Sequence, residues 1–114
     1  MKFKNKYHAR KTICLRRHLH DSKKEANRCD ELCLLEKSRR IKALQFQISM
    51  LLQPDFKTKQ GEHILAIHYV ADFIYYENDH IVIEDVKGCR TPVYELKRKL
   101  LLKQYPDIEF REIY

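Results

Sequence analysis

Acidic and basic side chains near the ends of two predicted strands are the residues of this sequence best suited to chemistry. Asp72 lies between Val70 and Ile74 in an apolar run, and Asp85 and Lys87 end the next run. Because side chains two residues apart on a strand share one face, Asp85 and Lys87 project together. Burying isolated charges there costs several kcal/mol unless the charges are paired or bind a metal. The pattern therefore predicts a partner that compensates them.

Two carboxylates at adjacent strand positions form a hard-oxygen site that suits Mg²⁺, and the cation offsets their mutual repulsion. A metal in such a site activates water and polarises a phosphate. Lys87, on the same face, can orient or deprotonate that water. The structural alternative is that Asp85 and Lys87 form an ion pair and that Asp72 caps a bulge. The residues alone leave both interpretations open.

A β-hairpin is predicted to carry these residues. Residues 64–87 contain two runs rich in Ile, Val, Tyr and Phe, which favour strands, and Glu77-Asn78-Asp79-His80 separates them. Asn and Asp are typical of tight turns. Before the hairpin, apolar residues alternate over residues 41–53 and predict a long strand, with Gln45 and Gln47 on its other face.

The first predicted helix begins at Ser22-x-x-Glu25, which has the form of a capping box. We expect this helix over residues 23–39. Glu25 either caps the helix or points inward to the same pocket as the two aspartates. The predicted apolar stripe consists of Ala26, Cys29, Leu32, Cys33 and Leu35 or Glu36.

Thr91-Pro92 begins a second predicted helix, with Thr91 as N-cap and Pro92 in the first turn. Its amino end offers amides to a phosphate. Its predicted buried side consists of Val93, Leu96, Leu100 and Leu101.

The remaining segments complete one domain. Residues 11–17 predict a short edge strand, residues 55–62 a loop and residues 108–113 a last strand. The predicted order is β-α-β-β-β-α-β, an α/β fold in the sense of an α+β mixed sheet with helices against it. We expect a single domain over residues 12–114, preceded by a basic flexible arm at residues 1–11.

The charge of the chain favours nucleic-acid binding. The net charge is +7, and basic residues concentrate in residues 1–24, which suits contact with a phosphate backbone. The alternative is a solvated, partly disordered tail. Candidate nucleic-acid contacts are Lys4, Lys6, Arg10, Lys11, Arg16, Arg17, Lys23, Lys24, Thr91 and Lys97.

Two further patterns concern compartment and zinc. The sequence lacks a membrane-spanning run and a signal-peptide core, so we expect a cytoplasmic protein with no membrane contact and with its cysteines as thiols. Cys29 and Cys33, four apart on a helix and near His18 and His20, could bind zinc. The second cysteine pair typical of strong zinc motifs is missing, so buried thiols are favoured.

The motifs resemble those of the PD-(D/E)XK nuclease superfamily, which has the restriction-endonuclease-like fold. They are VADF at residues 70–73, EDVK at residues 84–87 and SKKE at residues 22–25. Most of residues 20–105 is similar to a small family of uncharacterised phage and prophage proteins. Ala71 stands where the superfamily motif has proline. Of the adjacent acids Glu84 and Asp85, we choose Asp85 because it shares a face with Lys87.

The resemblance implies a catalytic set of Glu25, Asp72, Asp85 and Lys87. Mg²⁺ or Mn²⁺ would be held by Glu25, Asp72, Asp85 and the Val86 carbonyl, with Gln47 as an accessory polar group. The implied function is a metal-dependent DNA endonuclease of phage DNA metabolism, active as a homodimer in the bacterial host cytoplasm. Holliday junctions or other branched DNA would be its substrates, and phage replication or packaging proteins are candidate partners. The alternative is a non-catalytic DNA-binding accessory protein on the same fold.

Overall fold

The computed structural model describes residues 12–14, 19–20, 22–86 and 90–114. The elements follow in the order β1 (Thr12–Ile13), β2 (Leu19–His20), α1 (Lys23–Lys37), β3 (Lys42–Gln53), β4 (Phe56–Lys57), β5 (His63–Ile64), β6 (Ile67–Glu77), β7 (His80–Val86), α2 (Pro92–Gln104) and β8 (Glu109–Ile113). The predicted arm at residues 1–11 lies outside the described residues. Within the described part of the chain, no helix is both long and apolar enough to cross a membrane.

Four strands form the central sheet in the spatial order β3-β6-β7-β8. The pairs β3–β6 and β6–β7 are antiparallel, whereas β7 and β8 run parallel because α2 connects them. The predicted fold class, an α+β protein with a mixed sheet and two helices, is confirmed.

The central hairpin forms as the sequence predicts. Glu77 pairs with His80, so Asn78 and Asp79 make up a two-residue loop. Both loop residues have left-handed backbones, with φ of 49° and 67°. Asn and Asp tolerate this conformation, and such a loop matches the twist of the flanking strands.

The two helices bury different sets of strand residues. Tyr75 and Val82, paired across β6 and β7, belong to the cluster under α1, whereas the neighbouring pair Ile74 and Ile83 packs in the cluster with Leu101 of α2. Because successive strand residues face opposite sides, the helices cover opposite faces of the sheet at this level. Four predicted stripe residues of α1 are buried: Ala26, Cys29, Leu32 and Cys33.

The two clusters meet at the level of Gln47 and Asp72. Leu44 of β3 packs with the α1 cluster, whereas Met50, of the same parity, packs with the α2 cluster. On β6, Phe73 and Ala71 divide in the same way. Residues an even number of positions apart on one strand therefore pack in different clusters on the two sides of this level. Gln47 and Asp72 lie at the boundary between the clusters.

Two predictions about short segments are wrong. Within the predicted edge strand over residues 11–17, the described residues Thr12–Ile13 form a strand that lies outside the central sheet. Thr12–Ile13 pairs instead with Leu19–His20, which follows closely in the chain and costs little loop entropy. The predicted loop over residues 55–62 includes Phe56–Lys57, which pairs with His63–Ile64 around a turn at Gly61.

The predicted buried side of α2 is also wrong in part. Leu101 is fully buried, but Val93, Leu96 and Leu100 are 57%, 59% and 39% exposed. Tyr94, Leu101 and Tyr105 instead form the stripe that packs on the sheet cluster. Leu101 and Tyr105 follow Tyr94 by seven and eleven positions, which places all three on one side of a helix with 3.6 residues per turn.

Candidate functional site

Asp72 lies at the centre of a group of three acidic side chains. The next step of the β6–β7 ladder after the Phe73–Glu84 pair brings Asp72 opposite Asp85. The Val86 backbone N–H donates a hydrogen bond of 2.7 Å to Oδ2 of Asp72. The Glu25 carboxyl of α1 is in hydrogen-bonding contact with Asp72, and the charge of Asp85 acts on the same carboxyl. Three elements therefore bring Glu25, Asp72 and Asp85 together.

Of the two roles that the sequence left open for Glu25, the structure shows the inward position of its side chain. Its backbone N–H donates to the Ser22 hydroxyl at 3.1 Å, so Ser22 is the N-cap of α1. Its side chain is only 4% exposed, and Oε1 accepts a hydrogen bond of 3.1 Å from Nε2 of Gln47. The backbone thus starts the helix, while the carboxyl group reaches the sheet.

Gln47 reaches Glu25 from a strained backbone. Its φ is 53° in the middle of β3, a left-handed conformation that costs a non-glycine residue about 1–3 kcal/mol. Its neighbours Phe46 and Ile48 pair with Phe73 and Ala71, so Gln47 stands opposite Asp72. The strain therefore lies beside the acidic group, as strained residues of functional sites often do.

Asp85 is held by a tyrosine that the sequence analysis did not single out. Asp85 is 7% exposed, and its Oδ2 accepts a short hydrogen bond from the Tyr69 hydroxyl. Burial, and then the charge of Asp85, raise the pKa of Tyr69. Tyr69 therefore stays a hydrogen-bond donor. Tyr69 lies in an apolar run three residues before Asp72, where a tyrosine is typical of a core. The sequence pattern therefore does not indicate this role.

Three negative charges on Glu25, Asp72 and Asp85 would be unfavourable so close together. Burial is the largest cause that raises the pKa of Asp72, to about 9, and the carboxyl groups of Glu25 and Asp85 raise it further. The Val86 N–H opposes this effect. At neutral pH the metal-free protein therefore holds a proton on this carboxyl. A divalent cation would favour the ionised form, because opposite charge lowers the pKa of an acid.

Glu84, next to Asp85, has a different environment. It is fully buried, and both of its oxygens accept hydrogen bonds from Arg28, from Nε at 2.7 Å and from Nη2 at 2.6 Å. The Tyr75 hydroxyl donates to the same carboxylate. Hydrogen bonding to Glu84 raises the pKa of Arg28 further. Glu84 is thus one partner of a structural ion pair, while Asp85 lies beside Asp72.

The other predicted site residues divide between those that the structure describes and those that it does not. Thr91 caps α2, since its hydroxyl accepts a 3.1 Å hydrogen bond from the Tyr94 N–H. Lys23 and Lys24 are exposed, and Lys97 is half-buried. The remaining predicted residues, which include the proposed catalytic lysine, lie outside the described residues: Lys4, Lys6, Arg10, Lys11, Arg16, Arg17 and Lys87.

Three of the cysteines form a second cluster. Cys14, Cys29 and Cys33 are buried thiols, as the sequence predicts. Sγ of Cys14 lies 3.7 Å from Sγ of Cys29. Burial is the largest cause that raises the pKa of Cys29, which makes a thiolate unfavourable there. The cluster is part of the α1 core.

Over residues 12–14, 19–20, 22–86 and 90–114, no group of three His, Cys, Asp or Glu side chains is placed so that it could hold a metal ion. In the acidic group, oxygens of Glu25, Asp72 and Asp85 instead accept hydrogen bonds from Gln47, Val86 and Tyr69. The donor types still suit a hard cation. The carboxyl groups would have to rotate to direct their oxygens at one point.

Comparisons with known proteins give one match. A family model described as "Protein of unknown function (DUF1064)" matches residues 4–114. No curated protein and no solved structure matches the chain.

Proposed function

We propose that this chain, which belongs to the DUF1064 family, is a metal-dependent DNA endonuclease that hydrolyses phosphodiester bonds. The observation that carries the proposal is the environment of Asp72. This carboxyl is half-buried beside two other acidic side chains, and its pKa is raised to about 9. Strongly perturbed acids of this kind are typical of functional sites.

The donor set fits Mg²⁺ or Mn²⁺. Glu25, Asp72 and Asp85 would supply carboxylate oxygens, together with the Val86 carbonyl. Such ions prefer oxygen ligands. When bound, the cation would activate water and stabilise charge on the scissile phosphate.

The surrounding residues have supporting roles in this proposal. Gln47 orients Glu25 through its 3.1 Å hydrogen bond, and Tyr69 orients Asp85. Lys87 would position the attacking water and take up its proton. That role rests on the spacing of Asp85 and Lys87 in the sequence.

The finer classification is the PD-(D/E)XK superfamily with its restriction-endonuclease-like core. Its support is the layout: an acid on the leading helix, one in β6, and an Asp-x-Lys sequence at the end of β7. A similar order of elements and motifs supports a function less strongly than the chemistry of the site does. The catalytic proposal therefore depends on the acidic group and not on the name of the fold.

DNA is the proposed partner because the chain carries a net charge of +7. Cutting both strands of a duplex needs two active sites, so we expect a homodimer. Branched DNA such as a Holliday junction is the substrate that the superfamily resemblance favours, within phage DNA metabolism.

A second candidate function is a non-catalytic DNA-binding accessory protein. One observation favours it: in the described part of the chain, no three side chains are already arranged to bind a metal. On this account the protonated acidic group would be a structural feature, and the basic residues alone would carry the function.

A cleavage assay separates the two functions. Wild type, Asp72→Ala and Lys87→Ala are incubated with plasmid, linear and branched DNA in Mg²⁺, and DNA binding is measured in parallel in EDTA. The nuclease proposal predicts cleavage by the wild type and its loss in both variants, with binding retained. Asp107→Ala, which alters an exposed acid, is the matched control and should cleave normally. Binding without cleavage by the wild type would favour the accessory function.

A further inference from the structure

Two adjoining recesses open where the central hairpin turn meets the start of β3. The larger has a volume of about 590 Å³, and its lining includes Arg39, Arg40, Lys42 and Tyr76. The smaller, of about 180 Å³, shares Tyr76 with it and is lined mainly by apolar side chains, among them Ile74. A cationic recess thus borders an apolar one, and the same aromatic side chain belongs to both.

The charges of the larger recess favour an anionic ligand. Three cations line it against one carboxylate, that of Asp79, and all three cations are exposed. Arg39 and Arg40 also follow the carboxyl end of α1, where cations interact favourably with the helix dipole. That interaction accounts for two of the cations. It does not account for Lys42 on β3 or for the aromatic ring between the recesses.

Tyr76 gives the recesses their specificity. Its side chain is 47% exposed, although tyrosine rings generally favour burial. A ring that separates a basic surface from an apolar one matches a nucleotide, which has phosphate on one side and a flat base on the other. Bases of a duplex are already stacked and paired, so an aromatic side chain of this kind can stack on a base only in an unpaired strand.

The position relates these recesses to the acidic group. Tyr76 is four residues beyond Asp72 on β6, about 13 Å at ~3.3 Å per residue. The recesses therefore lie about 13 Å from Asp72 as measured along β6.

We propose that these recesses bind an unpaired nucleotide of a DNA strand, with its base stacked on Tyr76 and its phosphates at Arg39, Arg40 and Lys42. The inference rests on the proposed function for its choice of DNA as ligand, and it names the substrate class: DNA with an unpaired stretch.

The test measures binding of a fluorescein-labelled 12-nucleotide oligo-dT and of a 12-base-pair duplex by fluorescence anisotropy in EDTA. Tyr76→Ala should weaken oligo-dT binding about tenfold, the effect expected for the loss of one base–aromatic stack, and should weaken duplex binding less than twofold. Tyr76→Phe keeps the ring and should bind oligo-dT like wild type. Equal binding of oligo-dT by Tyr76→Ala and wild type, or equal weakening with both probes, would overturn the inference.

Charge variants supply the matched control. Arg39→Gln/Arg40→Gln should weaken oligo-dT binding and reduce its salt dependence. Lys57→Gln/Lys59→Gln removes two exposed cations beyond the opposite end of β3 and should have a smaller effect on both. If the two double variants weaken binding equally, the recess has no special role.

The outcome is separable from that of the nuclease proposal. Selective loss of oligo-dT binding in Tyr76→Ala supports the recess whether or not the protein cuts DNA. Cleavage by the wild type with no effect of Tyr76→Ala on oligo-dT binding would retain the nuclease and refute the recess.

Discussion

Glu84 and Asp85 are neighbours in the sequence, yet their carboxyl groups are compensated in opposite ways. Glu84 is fully buried against Arg28, which binds both of its oxygens. Asp85 lies beside Asp72, whose pKa is raised by burial, by Glu25 and by Asp85 itself. One acid is thus matched by a cation within the fold, whereas the other belongs to a group of like charges.

The difference teaches how a structural acid can be told from a functional one. The Arg28–Glu84 pair is complete, because the Tyr75 hydroxyl and two guanidinium nitrogens surround the carboxylate. The group around Asp72 becomes favourable in its ionised form only when positive charge is added. A fold that tolerates this cost is expected to gain function in return.

The largest effect is expected from Arg28→Met. This change leaves Glu84 buried without its cation, and breaking a buried pair in this way destabilises a protein by about 3–5 kcal/mol. Urea unfolding followed by circular dichroism measures the loss. Arg28→Met/Glu84→Gln should recover a large part of it, because the unpaired charge is then gone. A loss below ~1 kcal/mol in the single variant would show that Glu84 does not depend on Arg28.

The opposite sign is expected for Asp72→Asn. In EDTA the native wild type keeps a proton on Asp72 up to a pH of about 9, the pKa of this carboxyl, whereas the unfolded chain releases it above pH ~4. Wild-type stability should therefore fall as pH rises between these values, since the native state binds more protons. Asparagine removes this dependence.

We expect Asp72→Asn to be more stable than wild type by ~1–3 kcal/mol at pH 8, with a smaller difference at pH 5. Urea unfolding at both pH values in EDTA measures this. Asp107→Asn is the surface control and should show the wild-type pH profile. Parallel profiles for wild type and Asp72→Asn would mean that Asp72 is not perturbed as proposed.

A smaller effect is expected at Gln47, which connects β3 to the acidic group. Both Gln47→Ala and Gln47→Gly remove the hydrogen bond to Glu25. Glycine also relieves the backbone strain at a φ of 53°, so Gln47→Gly should be more stable than Gln47→Ala by about 1 kcal/mol. Thermal unfolding compares the two. Equal stability would indicate that β3 adopts an ordinary extended backbone at this position.

The same contrast shows what the sequence could predict. The hairpin was predictable because Asn78-Asp79 chemistry and two β-branched runs agree locally. The inward position of Glu25 could not be predicted, because the Ser22-x-x-Glu25 spacing fits both a helix cap and an acid that points into a pocket. The choice between Glu84 and Asp85 followed from strand alternation, which places neighbours on opposite faces.

Other features depend on tertiary packing that local patterns do not encode. The buried side of α2 was predicted from Val93, Leu96 and Leu100, but Tyr94 and Tyr105 pack on the sheet instead. The bond from Tyr69 to Asp85 joins residues sixteen apart. The left-handed backbone at Gln47 occurs at a residue other than glycine, so the sequence does not indicate it. Such features depend on how the helices and strands pack against one another, which the periodicity of a single sequence does not indicate.

The central claim, that Glu25, Asp72 and Asp85 bind a divalent cation, is tested most directly by isothermal titration of Mn²⁺ into the metal-free protein. The account predicts saturable binding by wild type, at least tenfold weaker binding by Asp72→Asn and Asp85→Asn, and near-wild-type binding by Glu84→Gln, with circular dichroism as the check of folding. No saturable binding by the wild type, or equal binding by wild type and Asp72→Asn, would contradict it.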